Sequence, residues 1–210
     1  MSDDIAYPVF RTPDLALALS TARRLMDFGR CEDSEVSVYA EFNSVAEVQR
    51  VAKELPEGWF RGQEGYEEFN GVPWEDQPAL VVGVQGPALP ADLSAYEERL
   101  PVECELRNLP VGSIEDAFAV AIGPNPGEIH WDSLCWPDAP ELGFHGESKH
   151  AEVTLLFNTR TRDLDVPADD HTVLVHVRKA GVDGRQMKEP YAHWLAEQVG
   201  LTVIGPWQPF

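Results

Sequence analysis

The sequence predicts an α+β protein with a mixed, mostly antiparallel sheet of about seven or eight strands and with helices chiefly on one face. Short runs in which apolar and polar residues alternate predict strands, whereas runs with apolar residues three and four positions apart predict helices. Pro- and Gly-rich turns separate these runs. The chain has 210 residues, 43% of them hydrophobic, so it can bury a real core without a disulfide or a metal ion.

The first helix is predicted over residues 13–28. Thr12 can cap its amino-terminal end, Pro13 suits the first helical position, and Gly29 ends the run. The apolar residues of this segment recur at the spacing of one buried helix face. They are Leu15, Leu19, Ala22, Leu25 and Met26.

A strand and a second helix follow. The segment "EVSVYAEF" at 35–42 alternates apolar and polar residues, as a half-buried strand does. In "NSVAEVQRVAKELP", Ser44 and Glu47 stand in capping-box register and Pro56 closes the segment, which predicts a helix.

The next stretch completes a split strand–helix–strand unit. The segment "GWFRGQEGYEEFNGVPWEDQ" predicts a long hairpin or loop, and it is followed by a strand at 79–86, a short helix at 91–100 and a strand at 102–109. With the preceding strand and helix, this order is typical of a ferredoxin-like unit within residues 35–108.

The second half of the chain adds further strands and one helix. Pro190 lies near the start of the predicted helix and Gly200 ends it. In order, the predicted elements are a buried strand at 117–123, a turn-rich segment at 124–150, strands at 151–158 and 171–177, a helix at 187–200 and a strand at 201–207.

The Pro/Gly stretch around residues 123–128 is the best candidate for a domain boundary. It divides the chain into an N-terminal α+β region, residues 1–122, which holds the ferredoxin-like unit, and a C-terminal α+β region, residues 123–210. The two regions can share one continuous sheet, and a single compact domain is an equal alternative.

Charge is the most informative bulk property. The chain has 36 acidic and 16 basic residues and a net charge of −20. Such a field repels phosphate backbones and anionic lipids and attracts cationic partners, so it argues against direct binding of nucleic acid. Because the carboxylates are interleaved with apolar residues, they do not form a disordered tail. General solubility explains the charge equally well.

Neither a membrane segment nor a disulfide framework is expected. The sequence has no run of about 18 apolar residues and no signal-like N-terminus. Cys31, Cys104 and Cys135 are widely spaced without a CxxC pair, which favours a reducing cytoplasm and leaves at least one free thiol.

The histidines do not predict a metal site, and no cofactor is expected. His171 and His176 are an odd number of residues apart on a strand, so they should project to opposite faces. His145 and His150 flank Glu147 and could wrap an ion, but the local sequence names no third ligand. We interpret His150, His171 and His176 as structural residues.

The segment "HWDSLCW" crowds His130, Asp132, Ser133 and Cys135 together, but alternation along a strand separates Cys135 from His130. The chain also has no G-x-S-x-G elbow and no glycine-rich phosphate loop. A non-enzyme is therefore expected. A small hydrolase using His130, Asp132 and Cys135, or a metal-dependent enzyme using His145 and His150, is the alternative.

Aromatic residues interleaved with carboxylates predict a surface that binds a basic protein partner. The function expected is an acidic cytoplasmic protein that inhibits by occlusion, most concretely an immunity protein or antitoxin against a basic toxin or nuclease. A regulatory protein that mimics DNA is a further alternative. The residues assigned to the partner-facing surface are Tyr66, Glu67, Glu68, Phe69, Trp74, Glu75, Asp76, Trp131 and Trp136.

Overall fold

The computed structural model describes residues 4–62, 73, 83–178 and 188–209. Within these ranges the chain has four α-helices and nine strands. The helices are α1 (Leu15–Gly29), α2 (Val45–Glu54), α3 (Glu115–Ile122) and α4 (Lys188–Gln198). The strands are β1 (Asp4–Thr12), β2 (Glu35–Phe42), β3 (Trp59–Gly62), β4 (Val84–Gln85), β5 (Val102–Pro110), β6 (Gly127–Asp132), β7 (Glu152–Phe157), β8 (His171–Arg178) and β9 (Gln208–Pro209).

All nine described strands belong to one sheet, in the order β4-β3-β5-β2-β6-β7-β8-β1-β9. Every described pair is antiparallel. The α+β class predicted from the sequence is confirmed, with an antiparallel sheet in place of a mixed one.

The predicted split strand–helix–strand unit is present in the first half of the chain. Helix α2 connects β2 to β3, and β5 lies between these two strands, antiparallel to both. Strand β4 pairs with the other side of β3. The predicted short helix before β5 is a 3-10 helix over Ser94–Arg99.

The sheet crosses the boundary placed at residues 122 and 123. Strand β2 pairs with β6, and β1 lies between β8 and β9. The N-terminal and C-terminal regions therefore share one continuous sheet.

The core lies between one face of this sheet and the helices. All four described helices contribute buried side chains to a single apolar cluster, together with alternate residues of the strands. Burial of large aromatic side chains stabilises this layer most. The largest fully buried side chains include Trp131, Trp136, Phe42, Phe60, Phe118 and Phe157.

Local capping sets the ends of the first two helices. The amide of Leu17 donates to the side chain of Asp14 at 3.0 Å, so α1 starts two residues later than predicted from Thr12 and Pro13. Ser44 caps α2 by accepting from the amide of Glu47 at 3.3 Å, as the capping-box register predicts.

The buried strand predicted at 117–123 is wrong, because this segment forms α3. Alternation would bury Val120 together with Phe118 and Ile122, but Val120 is 78% exposed while the other two are fully buried. The carboxylate of Glu115 accepts from the amides of Gly112 at 2.8 Å and Ile114 at 3.1 Å. The amide of Ile114, at the amino-terminal cap of the helix, has no partner within the helix, so its bond to Glu115 favours the helix.

Two further predictions are corrected. The turn-rich segment at 124–150 contains β6, and the strand predicted at 201–207 is irregular chain followed by β9. Pro206 has no backbone N–H to give to a sheet. The amide of Ile204 instead donates to the carbonyl of Pro8 at 2.8 Å.

Candidate functional site

On β2, β5 and β6, the sheet face turned away from the helices, here called the outer face, carries polar residues. On β7 and β8 this face also carries Leu156 and Leu174, which form a small buried apolar cluster with Ala6 of β1. On β2 the buried residues alternate with Glu35, Ser37, Tyr39 and Glu41, which therefore point to the outer face. The same alternation holds on β5 and β6. Carboxylates outnumber guanidinium groups on this face. Its ionisable residues include Glu35, Glu41, Glu103, Glu105, Glu128, Asp132, Glu152, Arg61 and Arg107.

Two carboxylates face each other across β2 and β5. Glu41 of β2 lies directly opposite Glu103 of β5. On its other side β5 pairs with β3, and there the guanidinium Nη2 of Arg61 lies 2.7 Å from Oε2 of Glu103. The hydroxyl of Tyr39 donates to Glu41 at 3.0 Å. Burial raises the pKa of Glu41, and the charge of Glu103 raises it further against the opposing effect of the Tyr39 hydrogen bond. Burial and the same two carboxylates also raise the pKa of Tyr39.

A second group on the outer face joins three neighbouring strands. His130 of β6 lies opposite Thr154 of β7, and Glu152 of β7 lies opposite His176 of β8. Because Glu152 and Thr154 are two residues apart on one strand, both point to the same face. We refer to His130, Glu152 and His176 as the His–Glu cluster.

The contacts of the His–Glu cluster form a closed ring through Thr154. Oγ1 of Thr154 lies 2.9 Å from Nδ1 of His130 and 2.8 Å from Nε2 of His176. The other nitrogen of each imidazole faces Oε2 of Glu152, at 3.4 Å from His130 Nε2 and 3.5 Å from His176 Nδ1. The two imidazole rings stand edge to face with centroids 5.6 Å apart.

The electrostatic surroundings keep both imidazoles neutral. Burial lowers the pKa of His130 to about 3, and the charge of Arg162 contributes in the same direction. Burial and Arg162 also lower the pKa of His176. Arg162 is held over β6 by Glu128, with both guanidinium–carboxylate contacts at 3.2 Å.

The cluster is partly open to solvent. The His130 and Glu152 side chains are 14% and 13% exposed, whereas the His176 side chain is fully buried. Two of the atoms that face each other in the cluster, Oε2 of Glu152 and Nδ1 of His176, are themselves buried.

The structure corrects the partner-facing assignment of Trp131 and Trp136, whose indole rings lie in the core. Trp131 alternates with His130 and Asp132 on β6 and so points to the helices. Its indole N–H donates to Glu115 at 3.0 Å, and that of Trp136 donates to the carbonyl of His176 at 2.8 Å. The other assigned residues lie outside the described residues. They are Tyr66, Glu67, Glu68, Phe69, Trp74, Glu75 and Asp76.

The members of the first alternative catalytic group have separate contacts. His130 contacts Thr154 at 2.9 Å in the His–Glu cluster. Asp132 accepts from the hydroxyl of Ser133 at 3.0 Å, and the amide of Cys135 donates to the carbonyl of Gly29 at 2.6 Å. Within the described part of the chain, the His–Glu cluster is the group of three potential metal ligands whose ligand atoms lie within 4.8 Å of one another, and it includes neither His145 nor His150.

The predicted divergence of His171 and His176 agrees with their contacts, since the His171 ring packs on the core residue Phe157 and His176 joins the outer face. The interpretation of His176 as only structural does not anticipate its place beside His130 and Glu152. Strand alternation in the sequence indicates which face each residue occupies. It does not indicate the register that brings three separate strands together.

Cys31 and Cys135 form a separate pair of neighbouring thiols near the end of α1. A hydrogen bond from Cys135 lowers the pKa of Cys31, with a further contribution from Ser34, and the pKa of Cys135 is raised by the same contact. Burial raises the pKa of Cys104 to about 12. The three thiols therefore differ in reactivity.

None of the described helices has the length and apolar character needed to cross a bilayer. No protein-family model matches this chain, and no curated protein or solved structure matches it.

Proposed function

We propose that this chain is an acidic binding protein that inhibits a basic protein partner by covering the surface with which that partner binds its own ligand. An immunity protein or antitoxin directed against a basic toxin or nuclease is the most concrete form. The observation that carries the proposal is the acidic part of the outer face, where Glu41, Glu103 and Glu105 lie on adjacent strands beside Tyr39 and Trp59.

Glu41 is the less compensated of the two opposed carboxylates, because Glu103 is paired with Arg61. Burial raises the pKa of Glu41, and the charge of Glu103 adds a smaller contribution in the same direction, as like charges on neighbouring strands do. A lysine or arginine from a partner would offset the charge of Glu41. Binding of a cation at this place therefore has an electrostatic advantage that a neutral surface lacks.

Aromatic side chains supply the apolar part of such a contact. Trp59 is 46% exposed on the outer face of β3, next to Glu105 of β5. Its ring is held against the backbone of Gly83, where an added Cβ would come within 2.0 Å of the indole nitrogen. A rigid, half-exposed indole beside carboxylates suits a desolvated anchor contact.

Inhibition follows from charge mimicry in this proposal. A nuclease or other basic toxin binds its normal anionic ligand through lysine and arginine side chains. Carboxylates presented on a rigid sheet can occupy those side chains, while Trp59 and Tyr39 exclude water from the contact.

The test is recovery of a basic partner followed by charge reversal. The full-length chain is used as bait in a lysate of its native host at about 0.05 M and about 0.3 M salt. Attraction between exposed charges weakens as ionic strength rises, so a basic partner should be recovered better at the lower salt concentration. The double variant Glu103→Lys/Glu105→Lys should then slow association with the recovered protein by about tenfold or more.

A matched control has the same change of net charge elsewhere on the surface. Glu32 and Glu57 are exposed and lie outside the sheet, so Glu32→Lys/Glu57→Lys should reduce the association rate much less. Equal effects of the two double variants would contradict the assignment of the acidic outer face. If the recovered partner is a DNA-binding regulator and not a toxin, the alternative of a regulatory protein that mimics DNA is favoured.

A metal-dependent enzyme is the second candidate function, favoured by the His–Glu cluster. Two imidazoles and one carboxylate leave a coordination position for water or substrate in catalytic zinc sites. Hydrolysis of ester or amide substrates that depends on added metal and is lost in Glu152→Gln would support this candidate over the binding protein.

A further inference from the structure

The His–Glu cluster has the dimensions of a three-ligand metal site. Oε2 of Glu152 lies 3.4 Å from Nε2 of His130 and 3.5 Å from Nδ1 of His176. Metal–ligand bonds of about 2.0–2.1 Å in a tetrahedral site separate the ligand atoms by about 3.3–3.4 Å. Two of the three ligand-atom separations therefore match such a site, and all three ligand atoms lie within 4.8 Å of one another.

We propose that His130, Glu152 and His176 bind one divalent transition-metal ion, with zinc as the first expectation. Imidazole nitrogen and carboxylate oxygen together suit zinc and its neighbours among the transition metals, whereas magnesium and calcium prefer oxygen ligands alone.

The hydrogen-bonding capacity of Thr154 supports a cation at this place. Its hydroxyl contacts Nδ1 of His130 and Nε2 of His176 and has only one hydrogen to donate. If both neutral imidazoles donate to Thr154, both remaining nitrogens present lone pairs toward the Glu152 carboxylate. If Thr154 donates to one imidazole, that ring can donate to Glu152, but the other still presents a lone pair to it. A metal ion bound between the two rings and the carboxylate would use these lone pairs as ligands.

Thr154 also has the position of an outer partner in a metal site. Histidines that bind metals usually donate their second ring N–H to an oxygen atom, which fixes the ring and its tautomer. With a metal on Nε2 of His130 and Nδ1 of His176, both rings donate to the same hydroxyl oxygen, which has two lone pairs. The strand register that places Thr154 between the two histidines thus orients both ligands.

The charges around the cluster are mixed, with an excess of negative charge. Glu128 and Asp132 lie on the same face of β6, and Arg162 reaches over β6 to bind Glu128. The neighbours across the adjacent strands, Ser37 opposite His130 and Ala6 opposite His176, are uncharged.

The test measures metal binding directly. The untagged full-length chain is stripped with a chelator and titrated with zinc, cobalt(II) and magnesium chlorides by calorimetry, with the bound metal counted by elemental analysis. One zinc per chain is expected, cobalt should give the visible absorption of a tetrahedral site, and magnesium should not bind at the same concentration.

Matched variants assign the ligands. Glu152→Gln and His130→Gln should each weaken zinc binding by at least about 100-fold, since each removes one of three ligands. Thr154→Val should weaken it by about 10–100-fold, as loss of an outer partner does. His145→Gln, at an exposed histidine outside the cluster, should leave affinity unchanged.

Absence of saturable zinc binding at one ion per chain would overturn the proposal, and so would wild-type affinity in Glu152→Gln and His130→Gln. Thermal melts of each variant establish that it is folded before titration. Glu152→Gln is the deciding variant if the histidine replacements unfold the chain, because it keeps the size of the side chain and replaces the carboxylate ligand by a neutral amide.

Discussion

The indole N–H of Trp136 donates a 2.8 Å hydrogen bond to the backbone carbonyl of His176. This bond ties the irregular chain after β6 to the strand that carries one member of the His–Glu cluster. It also explains why Trp136, assigned from the sequence to a partner-facing surface, is buried. A tryptophan is retained inside when its N–H finds a partner there.

Replacement of Trp136 by Phe should lower the free energy of unfolding by about 2–4 kcal/mol, because it leaves the carbonyl of His176 without this donor and opens space in the core. Urea unfolding followed by circular dichroism measures the change. The control is Trp207→Phe, at a residue 48% exposed, which should cost clearly less. Equal losses in the two variants would contradict an anchoring role for Trp136.

Glu115 should be the most sensitive residue of α3. Its carboxylate accepts from the indole of Trp131 and from the amides of Gly112 and Ile114, and its side chain is almost completely buried. Glu115→Ala should therefore destabilise the chain by about 2–4 kcal/mol in urea unfolding. Asp116→Ala, at an exposed neighbour paired with Arg23, should cost less than about 1 kcal/mol. A smaller loss for Glu115→Ala than for Asp116→Ala would refute this assignment.

Glu41→Gln should stabilise the protein at neutral pH by a few tenths to about 1 kcal/mol, since it removes the charge that faces Glu103 and keeps an oxygen for the Tyr39 hydroxyl. The pKa of Glu41 is raised in the folded state. The ionised carboxylate therefore opposes folding relative to the protonated form. The advantage of the variant should shrink as pH falls through that raised pKa and vanish below the ordinary glutamate value.

Unfolding curves at neutral pH and near pH 4, about the pKa of a free glutamate, test the Glu41 prediction. Glu57→Gln, at an exposed position, is the control and should change stability little at either pH. A variant Glu41→Gln that is less stable than the wild type at neutral pH would show that the opposed carboxylates are not in conflict.

The three thiols should react with iodoacetamide in the order Cys31, Cys135, Cys104. Exposure alone favours Cys135, which is the more exposed of the first two, but the lowered pKa of Cys31 gives it more thiolate. Cys104 is buried and its pKa is raised, so it should react last. Peptide mass spectrometry over a time course measures the order, and faster labelling of Cys135 than of Cys31 would contradict it. In Ser34→Ala, labelling of Cys31 should slow because one stabilising hydrogen bond is lost.

Local patterns in the sequence predicted several elements well. Strand β2 spans the predicted residues 35–42 because its alternation matches a sheet with one buried face. Helix α2 follows from the register of Ser44 and Glu47. Helix α3 was mistaken for a strand because a short apolar run does not distinguish the two periods. The deciding interaction is the burial of Glu115 against Trp131, which depends on the tertiary fold.

The candidate sites required information that no local pattern contains. His130, Glu152 and His176 each lie on a recognisable strand, but they meet only because β6, β7 and β8 are adjacent in a particular register. A shift of one residue in any strand would turn its member of the cluster into the core. The acidic part of the outer face likewise depends on β5 lying between β2 and β3.

Both margins of the described sheet are formed by two-residue strands, Val84–Gln85 at one side and Gln208–Pro209 at the other. Each of these strands pairs with only two residues of its neighbour, Ile5 and Ala6 of β1 at one side and Trp59 and Phe60 of β3 at the other. Within the described residues, β4 and β9 themselves therefore give an added extended chain very few backbone groups with which to continue the hydrogen-bond ladder.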